Sequence, residues 1–366
     1  MRVAVVTGVI VPHDAISDAV VRQARLVMDV PGVDEVVVFS QAIGTELPSP
    51  GRIVPDGWSL LRDPDFMACD IAVFHWGIHY RLFDAITLLL GSRGPAPIVH
   101  FHNCTPEDLV SPQLRESIRA SILQLDHVAS LGVPFWTHSE FNRLTLLDHG
   151  VRPDDVAFVP IPIDLPGGID VERPTDRVEL LTVGRRVPAK GPNVLVAAIA
   201  MLDDATRASV HLRIVGSPTF SDPDYADELD RLIVDHDLGG VVDLVDAPTD
   251  EELWRLYAGS HVVVSPSFHE GLCVPIIEGY AFGCRAIGTT TGNLPFVVQP
   301  PDPCVPPGDP EALRDALARM VLEVRAEAQP RRRHPDLVER YSSRSCARAL
   351  QRELYRQAAR PQPAVT

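Results

Sequence analysis

The sequence predicts an α/β protein made of two doubly wound domains, each with a parallel sheet covered by helices. Short apolar, β-branched runs alternate with longer segments of helical period along the whole chain. A polar stretch that contains Gly and Pro, residues 166–176, interrupts this alternation, which then restarts. With 366 residues, 45% of them hydrophobic, the chain is long enough to bury two cores.

Six strands are predicted in the amino half. They are expected at the apolar runs near Val3, Val36, Ile71, Ile98, Phe135 and Val156. The first run, Arg2 to Thr7, continues apolar through Val11, but residues 12–14 (Pro, His, Asp) favour a buried strand and turn over a signal sequence. Segments such as 18–30 and 112–125 have the helical period.

The carboxyl half repeats the pattern after the interruption. Strands are expected near Leu180, Leu212, Val242, Val262 and over 285–289, with the second sheet ending near Pro307. The basic run Arg331–Arg333 is interpreted as a solvated linker. The tail from Ser342 to Arg360 is predicted to be helical, with Ser343 as its N-cap. We therefore divide the chain into a domain 1–165, a linker 166–176, a domain 177–341 and a terminal helix 342–366.

Charge, cysteine usage and hydropathy exclude several classes of protein. A net charge of −16 argues against nucleic-acid binding, which needs a basic face. The six cysteines have no close paired spacing, which favours reduced thiols and a cytoplasmic location. No apolar run reaches the length of a transmembrane helix. His75 and His79 have the i, i+4 spacing of a helical metal pair, but His75 is expected to end a strand, so no metal site is predicted there.

The segment Val264–Gly279, VSPSFHEGLCVPIIEG, predicts an anion site. A strand at 262–265 is ended by Pro266, and a helix is expected from Pro275 to about Phe282. The N–H groups of Leu272, Cys273 and Val274 would then be free at the helix N-terminus, where a phosphate binds.

Two carboxylates flank that phosphate site. Glu270 and Glu278 have seven residues between them, and we expect both to bind neutral hydroxyls. Glu278 would accept from a ribose diol and Glu270 from a sugar or an amide. The alternative is that Glu278 only complements the helix dipole, worth about 0.3–1 kcal/mol, and that Glu270 is a solvated loop residue.

A second segment, Val178–Gly191, adds basic residues. Lys190 is the only lysine of the chain and precedes a predicted helix, where a cation opposes the helix dipole. A bound anion would resolve that conflict, so Arg185 and Lys190 are predicted to hold a diphosphate together. The alternative is a solvated basic loop.

These motifs resemble the retaining glycosyltransferases of family 4, which have the GT-B fold and an E-x7-E motif. The resemblance is strongest from Leu180 to Leu313. It rests on these segments in order: VGR at 183–185, KG at 190–191, EGLCVPIIE at 270–278, GTTTGNLPFVV at 288–298 and VPPGDPEAL at 305–313. It is weaker in the amino half, where it rests on DIAVFHWGIHY, PIVHFHNCTP, PFWTHSEFNR and VAFVPIPID.

The resemblance implies a role for each matching position. The amino domain would bind the acceptor, the carboxyl domain the nucleotide sugar, and the terminal helix would pack back on the amino domain. The implied catalytic residues are His102, Arg185, Lys190 and Glu270. The implied donor-binding residues are Arg185, Lys190, Gly271, Leu272, Cys273, Val274, Glu278 and Asp246, the last lying where the nucleobase meets backbone. His102 would orient a hydroxyl of the transferred sugar, and we expect His100 to face away from it as a core histidine.

The implied activity is transfer of a sugar, with retention, from a UDP- or GDP-sugar to an acceptor hydroxyl. No cofactor or metal is expected, because the GT-B enzymes that this sequence resembles need no bound metal. The acceptor could be a small molecule, a glycan or a lipid-linked sugar. A soluble acceptor is favoured, because residues 1–165 contain 11 arginines against 20 acids and so offer no basic face for an anionic membrane.

Two alternatives stay open, and four departures from the family pattern suggest the first of them. The loop TGVIVPHDAIS lacks paired glycines, Cys273 stands in place of a glycine, Pro162 in place of an asparagine, and Phe296 in place of a glutamate. A non-catalytic transferase-like partner subunit would tolerate these changes. A nucleotide-sugar epimerase of the same fold would share the binding half. A dinucleotide oxidoreductase is excluded, because TGVIVP is not a G-x-G-x-x-G turn.

Overall fold

The computed structural model describes residues 1–360 with gaps at residues 13, 164, 167–168, 170, 219–220 and 327–333. The run Arg331–Arg333 and parts of the 12–14 turn and the 166–176 linker therefore lie outside the described residues. The chain forms two compact units. Unit 1 contains Met1–Ile163 and Arg340–Thr366, and unit 2 contains Asp164–Glu339.

Unit 1 is built on a seven-stranded parallel sheet with the strand order β5-β3-β1-β6-β7-β8-β9. Its strands are β1 (Arg2–Val6), β2 (Val9–Ile10), β3 (Glu35–Ser40), β4 (Ala42–Ile43), β5 (Gly51–Ile53), β6 (Ile71–Trp76), β7 (Ala96–Phe101), β8 (Phe135–Thr137) and β9 (Val156–Phe158), where β2 and β4 form a separate parallel pair. Its amino-terminal helices are α1 (Ala15–Met28), α2 (Gly57–Arg62), α3 (Pro64–Met67), α4 (Ala85–Leu89), α5 (Arg115–Ser130) and α6 (Glu140–Asp148).

The central strands of this sheet are buried on both faces. Val3 to Val6 of β1 are fully buried, and a parallel strand covered on both sides is expected to be continuously apolar. The side chain of Asp14 caps α1 by accepting from the Ser17 N–H at 2.9 Å. All six strands predicted for the amino half are present, whereas the edge strand β5 was missed because its three residues are exposed and form no apolar run.

Unit 2 has a six-stranded parallel sheet with the order β12-β11-β10-β13-β14-β15. Its strands are β10 (Val178–Val183), β11 (Val210–Gly216), β12 (Val242–Asp246), β13 (Val262–Val264), β14 (Arg285–Thr289) and β15 (Cys304–Val305). Its helices are α7 (Pro192–Ala200), α8 (Asp204–Arg207), α9 (Pro223–Asp235), α10 (Asp250–Gly259), α11 (Val274–Ala281), α12 (Leu294–Val297), α13 (Pro310–Ala326) and α14 (Pro335–Arg340), which ends at the boundary between the units. The predicted class, two doubly wound α/β domains, is confirmed.

The last helix, α15 (Ser343–Ala358), belongs to unit 1. Its Leu350 and Leu354 are buried in the same cluster as Val20 and Val27 of α1. The prediction that Ser343 caps this helix is wrong by one residue. Ser342 has the extended backbone of an N-cap, and its hydroxyl accepts from the Ser345 N–H at 3.2 Å.

Hydropathy gives no membrane-spanning segment: in the part of the chain that the structure describes, every helix is too short or too polar to cross a bilayer. The six cysteines are free thiols.

Candidate functional site

The predicted site residues of unit 2 converge where the direction of its sheet reverses. β10 lies between β11 and β13, and successive strands are added on opposite sides of it. Open α/β sheets bind ligands at the carboxyl ends of the strands at such a reversal. The segment with Arg185 and Lys190 follows β10, and the segment with Glu270 follows β13, so both predicted motifs reach this edge.

Lys190 and Glu270 form an ion pair. The Lys190 Nζ lies 2.7 Å from the Glu270 Oε1, which also accepts from the Ser267 hydroxyl at 2.8 Å. The Glu270 side chain is 9% exposed and that of Lys190 is 27% exposed. Glu270 is therefore not a solvated loop residue. The sequence argument required a bound anion beside Lys190. The Glu270 carboxylate already supplies a negative charge at that place.

A glycine allows the two loops to approach. Gly191, just after Lys190, has a left-handed backbone with φ of 62°. A Cβ at this position would lie 2.5 Å from the carbonyl oxygen of Pro266, which follows β13. Only glycine fits both the backbone and the space, so Gly191 lets the loop of Lys190 lie against the loop of Glu270.

The N-terminus of α11 presents unpaired backbone donors. The helix begins at Val274 with Cys273 as its N-cap, and Leu272 and Cys273 are buried. The N–H groups of Leu272, Cys273 and Val274 donate to no acceptor among the described residues. Buried N–H groups almost always have a partner, so this end of α11, with the positive end of its dipole, fits an anion.

Cys273 has an uncommon conformation for a residue with a side chain. Its φ is 66°, in the left-handed region where a non-glycine residue costs roughly 1–2 kcal/mol. Its thiol donates to the Ser265 hydroxyl at 3.4 Å. Burial, and then the Glu270 carboxylate, raise the pKa of this thiol, so Cys273 stays protonated at neutral pH.

Glu278 lies on α11 and is 7% exposed. Burial, and then the neighbouring Glu278 carboxylate, raise the pKa of the fully buried Tyr257. Glu278 is thus a largely buried carboxylate. A carboxylate that only complemented the helix dipole would not need to be buried. Its binding to a ribose stays a prediction.

The two adjacent arginines after β10 have different environments. Arg185 is exposed, whereas Arg186 is buried and forms an ion pair with Asp246 at the end of β12. The Arg186 Nε is buried and has no hydrogen-bond partner among the described residues. Asp246, assigned to the donor from the resemblance, therefore binds an arginine of its own chain. Sequence reasoning missed Arg186, although the pair of arginines was the signal that could have found it.

A turn before α12 holds the Glu270 loop in place. The Asn293 N–H donates to the Glu270 carbonyl at 2.8 Å, and the Asn293 side-chain amide donates to the Leu272 carbonyl at 3.0 Å. Gly292 has a φ of 56°, and a Cβ there would lie 2.5 Å from the Glu270 carbonyl oxygen. The segment GTTTGNLP thus positions the site, a function that the sequence motif alone did not reveal. Phe296, at the departure from the family pattern, is 42% exposed on α12.

His102 lies in unit 1, in a group of four histidines at the carboxyl ends of β6, β7 and β8. The ring centroids of His75, His100 and His102 are 4.9–5.2 Å apart, and that of His138 lies 5.2 Å from His102. The expectation that His100 faces away from His102 is wrong. Residues i and i+2 of a strand point to the same face, and these two rings are stacked.

The chain is similar to known proteins over most of its length. The family described as "Glycosyl transferases group 1" matches residues 170–334. The D-inositol 3-phosphate glycosyltransferase of Saccharomonospora viridis is 30% identical over 301 residues, which are 76% of this chain and 69% of that protein. Because this identity extends over most of both chains, the similarity shows the family of this chain.

The chain belongs to the group 1 glycosyl transferases.

Solved structures show the fold of this group 1 glycosyl transferase. Sucrose-phosphate synthase of Thermosynechococcus elongatus is 19% identical, with a TM-score of 0.73 and 98% of each chain covered. Anabaena HepE, solved in complex with UDP, is 15% identical, with a TM-score of 0.69 and coverage of 97% of this chain and 100% of that one. The predicted GT-B architecture is confirmed, and the protein is a glycosyltransferase.

A separate pocket of the transferase has none of these residues in its lining. It is in unit 1, lined among others by Asp70, Ala96 and Gln357. Asp70 and Ala96 precede or begin β6 and β7, so the pocket opens at the amino ends of the strands. Because ligands of this sheet type bind at the carboxyl ends, we assign it no role in transfer.

The four histidines should make the stability of the transferase depend on pH. Burial, and then neighbouring histidines, lower the pKa values of His75, His100 and His102, and burial lowers that of His138 to about 3. An unfolded histidine has a pKa of about 6.5, so the stability from these neutral rings is fully present above that pH and is lost as the pH falls toward the folded pKa values. We expect the free energy of unfolding to decrease below about pH 6.5 by up to about 1.4 kcal/mol per pH unit for each ring.

Urea unfolding at about pH 7.5, 6.5 and 5.5 measures this dependence. His138→Gln should reduce the slope, because one buried ring is removed. His236→Gln is the control, since His236 is exposed on unit 2 and its replacement should leave the slope as in the wild type. A free energy of unfolding that stays constant across this range would contradict the prediction.

Proposed function

We propose that this protein transfers a sugar from a UDP- or GDP-sugar to an acceptor hydroxyl, with retention of anomeric configuration and without a metal ion. The observation that carries the proposal is the juxtaposition of two features at the carboxyl edge of the unit 2 sheet. These are the Lys190–Glu270 pair and the N–H groups of residues 272–274, which have no acceptor among the described residues. Such an arrangement offers positive charge and backbone donors to an anion, together with a carboxylate for a neutral hydroxyl.

The main barrier of the reaction is departure of an anionic diphosphate from the sugar. Lys190, the exposed Arg185 and the N–H groups of residues 272–274 would stabilise the developing charge, each donor contributing on the order of 3 kcal/mol in a dry site. Arg185 can contact two phosphate oxygens at once, whereas Lys190 acts as a point charge. Since its ion pair with Glu270 already orients the ammonium group, Lys190 would need little rearrangement to contact a phosphate.

Glu270 has a second oxygen to offer. Lys190 and Ser267 both bind Oε1, and Oε2 makes no hydrogen bond to a described residue. The Oε2 atom can therefore accept from a hydroxyl of the donor sugar. In the same proposal Glu278 binds the ribose, backbone near Asp246 meets the nucleobase, and His102 orients a hydroxyl of the transferred sugar while the leaving phosphate accepts the acceptor proton.

The acceptor is proposed to be a soluble polyhydroxyl compound in the cytoplasm. The name of the Saccharomonospora relative refers to D-inositol 3-phosphate, a small phosphorylated polyol. Residues 1–165 are also acidic overall, with 11 arginines against 20 acids, which disfavours docking on an anionic membrane.

Thermal unfolding in the presence of nucleotides tests the donor site. We expect one of UDP, GDP, ADP and dTDP to raise the melting temperature equally in EDTA and in magnesium, because a ligand of the folded state stabilises it by about 2.7 kcal/mol at a hundredfold excess over Kd. NAD should have no effect. A shift only with magnesium would overturn metal independence, and no shift with any nucleotide would favour a non-catalytic partner subunit.

A matched pair of variants sharpens this experiment. Glu278→Ala should lose most of the nucleotide-induced shift, whereas Glu251→Ala, an exposed carboxylate on α10, should retain it. An unchanged shift in Glu278→Ala would exclude the ribose role. The protein is then incubated with an acceptor and with the sugar derivative of the nucleotide that stabilises it. A transferase would modify the acceptor, whereas an epimerase would release nucleotide without modifying it.

A further inference from the structure

We propose that His75, His100 and His102 bind a single first-row transition-metal ion, such as Zn²⁺, at the carboxyl edge of the unit 1 sheet. One potential ligand nitrogen from each ring lies within 4.8 Å of the other two. The site shares His102 with the sugar transfer proposed above, although that transfer itself needs no metal ion.

The backbone places the three rings on one rigid face. His75 of β6 is the register partner of His100 of β7, and His102 follows two residues later. His75 and His100 are 1% and 0% exposed, on strands whose other residues are buried except for Ala96 at the start of β7. The ligands are therefore held in place before an ion binds, so binding would need little further ordering of side chains.

The His75 Nδ1 and the His102 Nε2 lie 2.9 Å apart, so one of these two nitrogens carries the proton of a hydrogen bond that a bound ion would replace. Two of the rings also have a nitrogen with no partner among the described residues. The His75 Nε2 and the His100 Nε2 are buried and make no hydrogen bond to any described residue. A buried polar atom left without a partner costs about 1–3 kcal/mol, and a coordinated ion would remove part of that cost.

The neighbouring amides determine which rings can serve as ligands. Gln23 lies 3.0 Å from the His100 Nδ1, and its own Oε1 has no partner among the described residues. A half-turn of this amide would let Oε1 accept the Nδ1 proton, leaving the His100 Nε2 free to coordinate. His138 differs, because the Asn142 amide donates to its Nε2 at 3.2 Å and the ring proton must then be on Nδ1. His138 is therefore not a ligand.

The ligand set selects the class of ion. Three imidazole nitrogens without a carboxylate or a thiolate suit Zn²⁺, Co²⁺, Ni²⁺ or Cu²⁺, whereas Mg²⁺ and Ca²⁺ prefer oxygen. Three protein ligands also leave one position of a tetrahedral ion open to water or to another small ligand.

Titration of the full-length protein with Co²⁺ tests the site, because the visible absorption of Co²⁺ reports its coordination geometry. We expect one equivalent of Co²⁺ to give the strong absorption of a four-coordinate ion, and Zn²⁺ to abolish it by displacement. His75→Gln and His100→Gln should each weaken Co²⁺ binding at least tenfold. His236→Gln, which changes an exposed histidine, should bind Co²⁺ as the wild type does.

Circular dichroism without metal verifies that each variant is folded. If the two buried substitutions prevent folding, His102→Gln replaces them, because His102 is less buried. The proposal is overturned if the wild-type protein gives no such absorption, or if a folded His75, His100 or His102 variant gives the same absorption and affinity as the wild type. Either of these two outcomes would leave unchanged the nucleotide-induced rise in melting temperature, which depends on unit 2.

Discussion

Lys190→Met is expected to lower kcat/KM for the nucleotide sugar by about 10²–10³-fold, the loss measured when one preorganised donor to a developing anion is removed. Lys190 is the one ammonium group of the site, and its Nζ is held 2.7 Å from Glu270. Methionine keeps most of the length and the apolar part of the side chain, so the variant removes mainly the charge. Steady-state rates with the donor identified by thermal shift give the measurement.

A double variant separates catalysis from folding in this experiment. Lys190→Met alone leaves the Glu270 carboxylate largely buried without its cation, which should cost about 1–3 kcal/mol of stability. Lys190→Met combined with Glu270→Gln removes both charges and should restore stability while turnover stays low. Near wild-type turnover in either variant would exclude the diphosphate role of Lys190.

Gly292→Ala is expected to destabilise the protein by roughly 2–5 kcal/mol and to reduce turnover. The left-handed backbone alone costs about 1–2 kcal/mol for a residue with a Cβ. The added Cβ would also lie 2.5 Å and 2.7 Å from the Glu270 carbonyl oxygen and amide nitrogen, and overpacking typically costs about 1–3 kcal/mol. Because the neighbour is backbone, Glu270 itself must move, and with it the partner of Lys190.

Gly32→Ala is the matched control for this variant. Gly32 also has a positive φ, 80°, but a Cβ there meets no atom within 4 Å. It should therefore show the backbone cost of about 1–2 kcal/mol and no loss of activity. Urea unfolding and steady-state rates are measured on both variants. Equal destabilisation of the two would show that the contact with Glu270 is unimportant.

The fold was predictable because parallel strands covered on both faces are nearly continuous apolar runs. β1, β6 and β10 could each be located from such a run, whereas β5 and β15, with three and two residues, give no comparable signal. The helix boundary at α11 was predictable from Pro275 and Gly283, which have defined positions at helix ends.

Contacts between side chains distant in sequence were not predictable. Lys190 and Glu270 are 80 residues apart, and the sequence alone did not show that each is the other's partner. The pairing of Arg186 with Asp246 was missed for the same reason. The histidine group was missed for a different reason. Its members come together through the register of β6 against β7 and the two-residue period of strands. The sequence argument applied that period wrongly to His100 and His102.

The division of the chain has a consequence for the order in which the protein can be completed during synthesis. Unit 2 is one continuous stretch, whereas unit 1 needs both the first 163 residues and α15. A ribosome makes all of unit 2 before it makes Leu350 and Leu354, which belong to the unit 1 core. Because domains generally fold as units during translation, unit 2 can finish folding first. The unit that contains the first strand is thus the last to acquire its complete core.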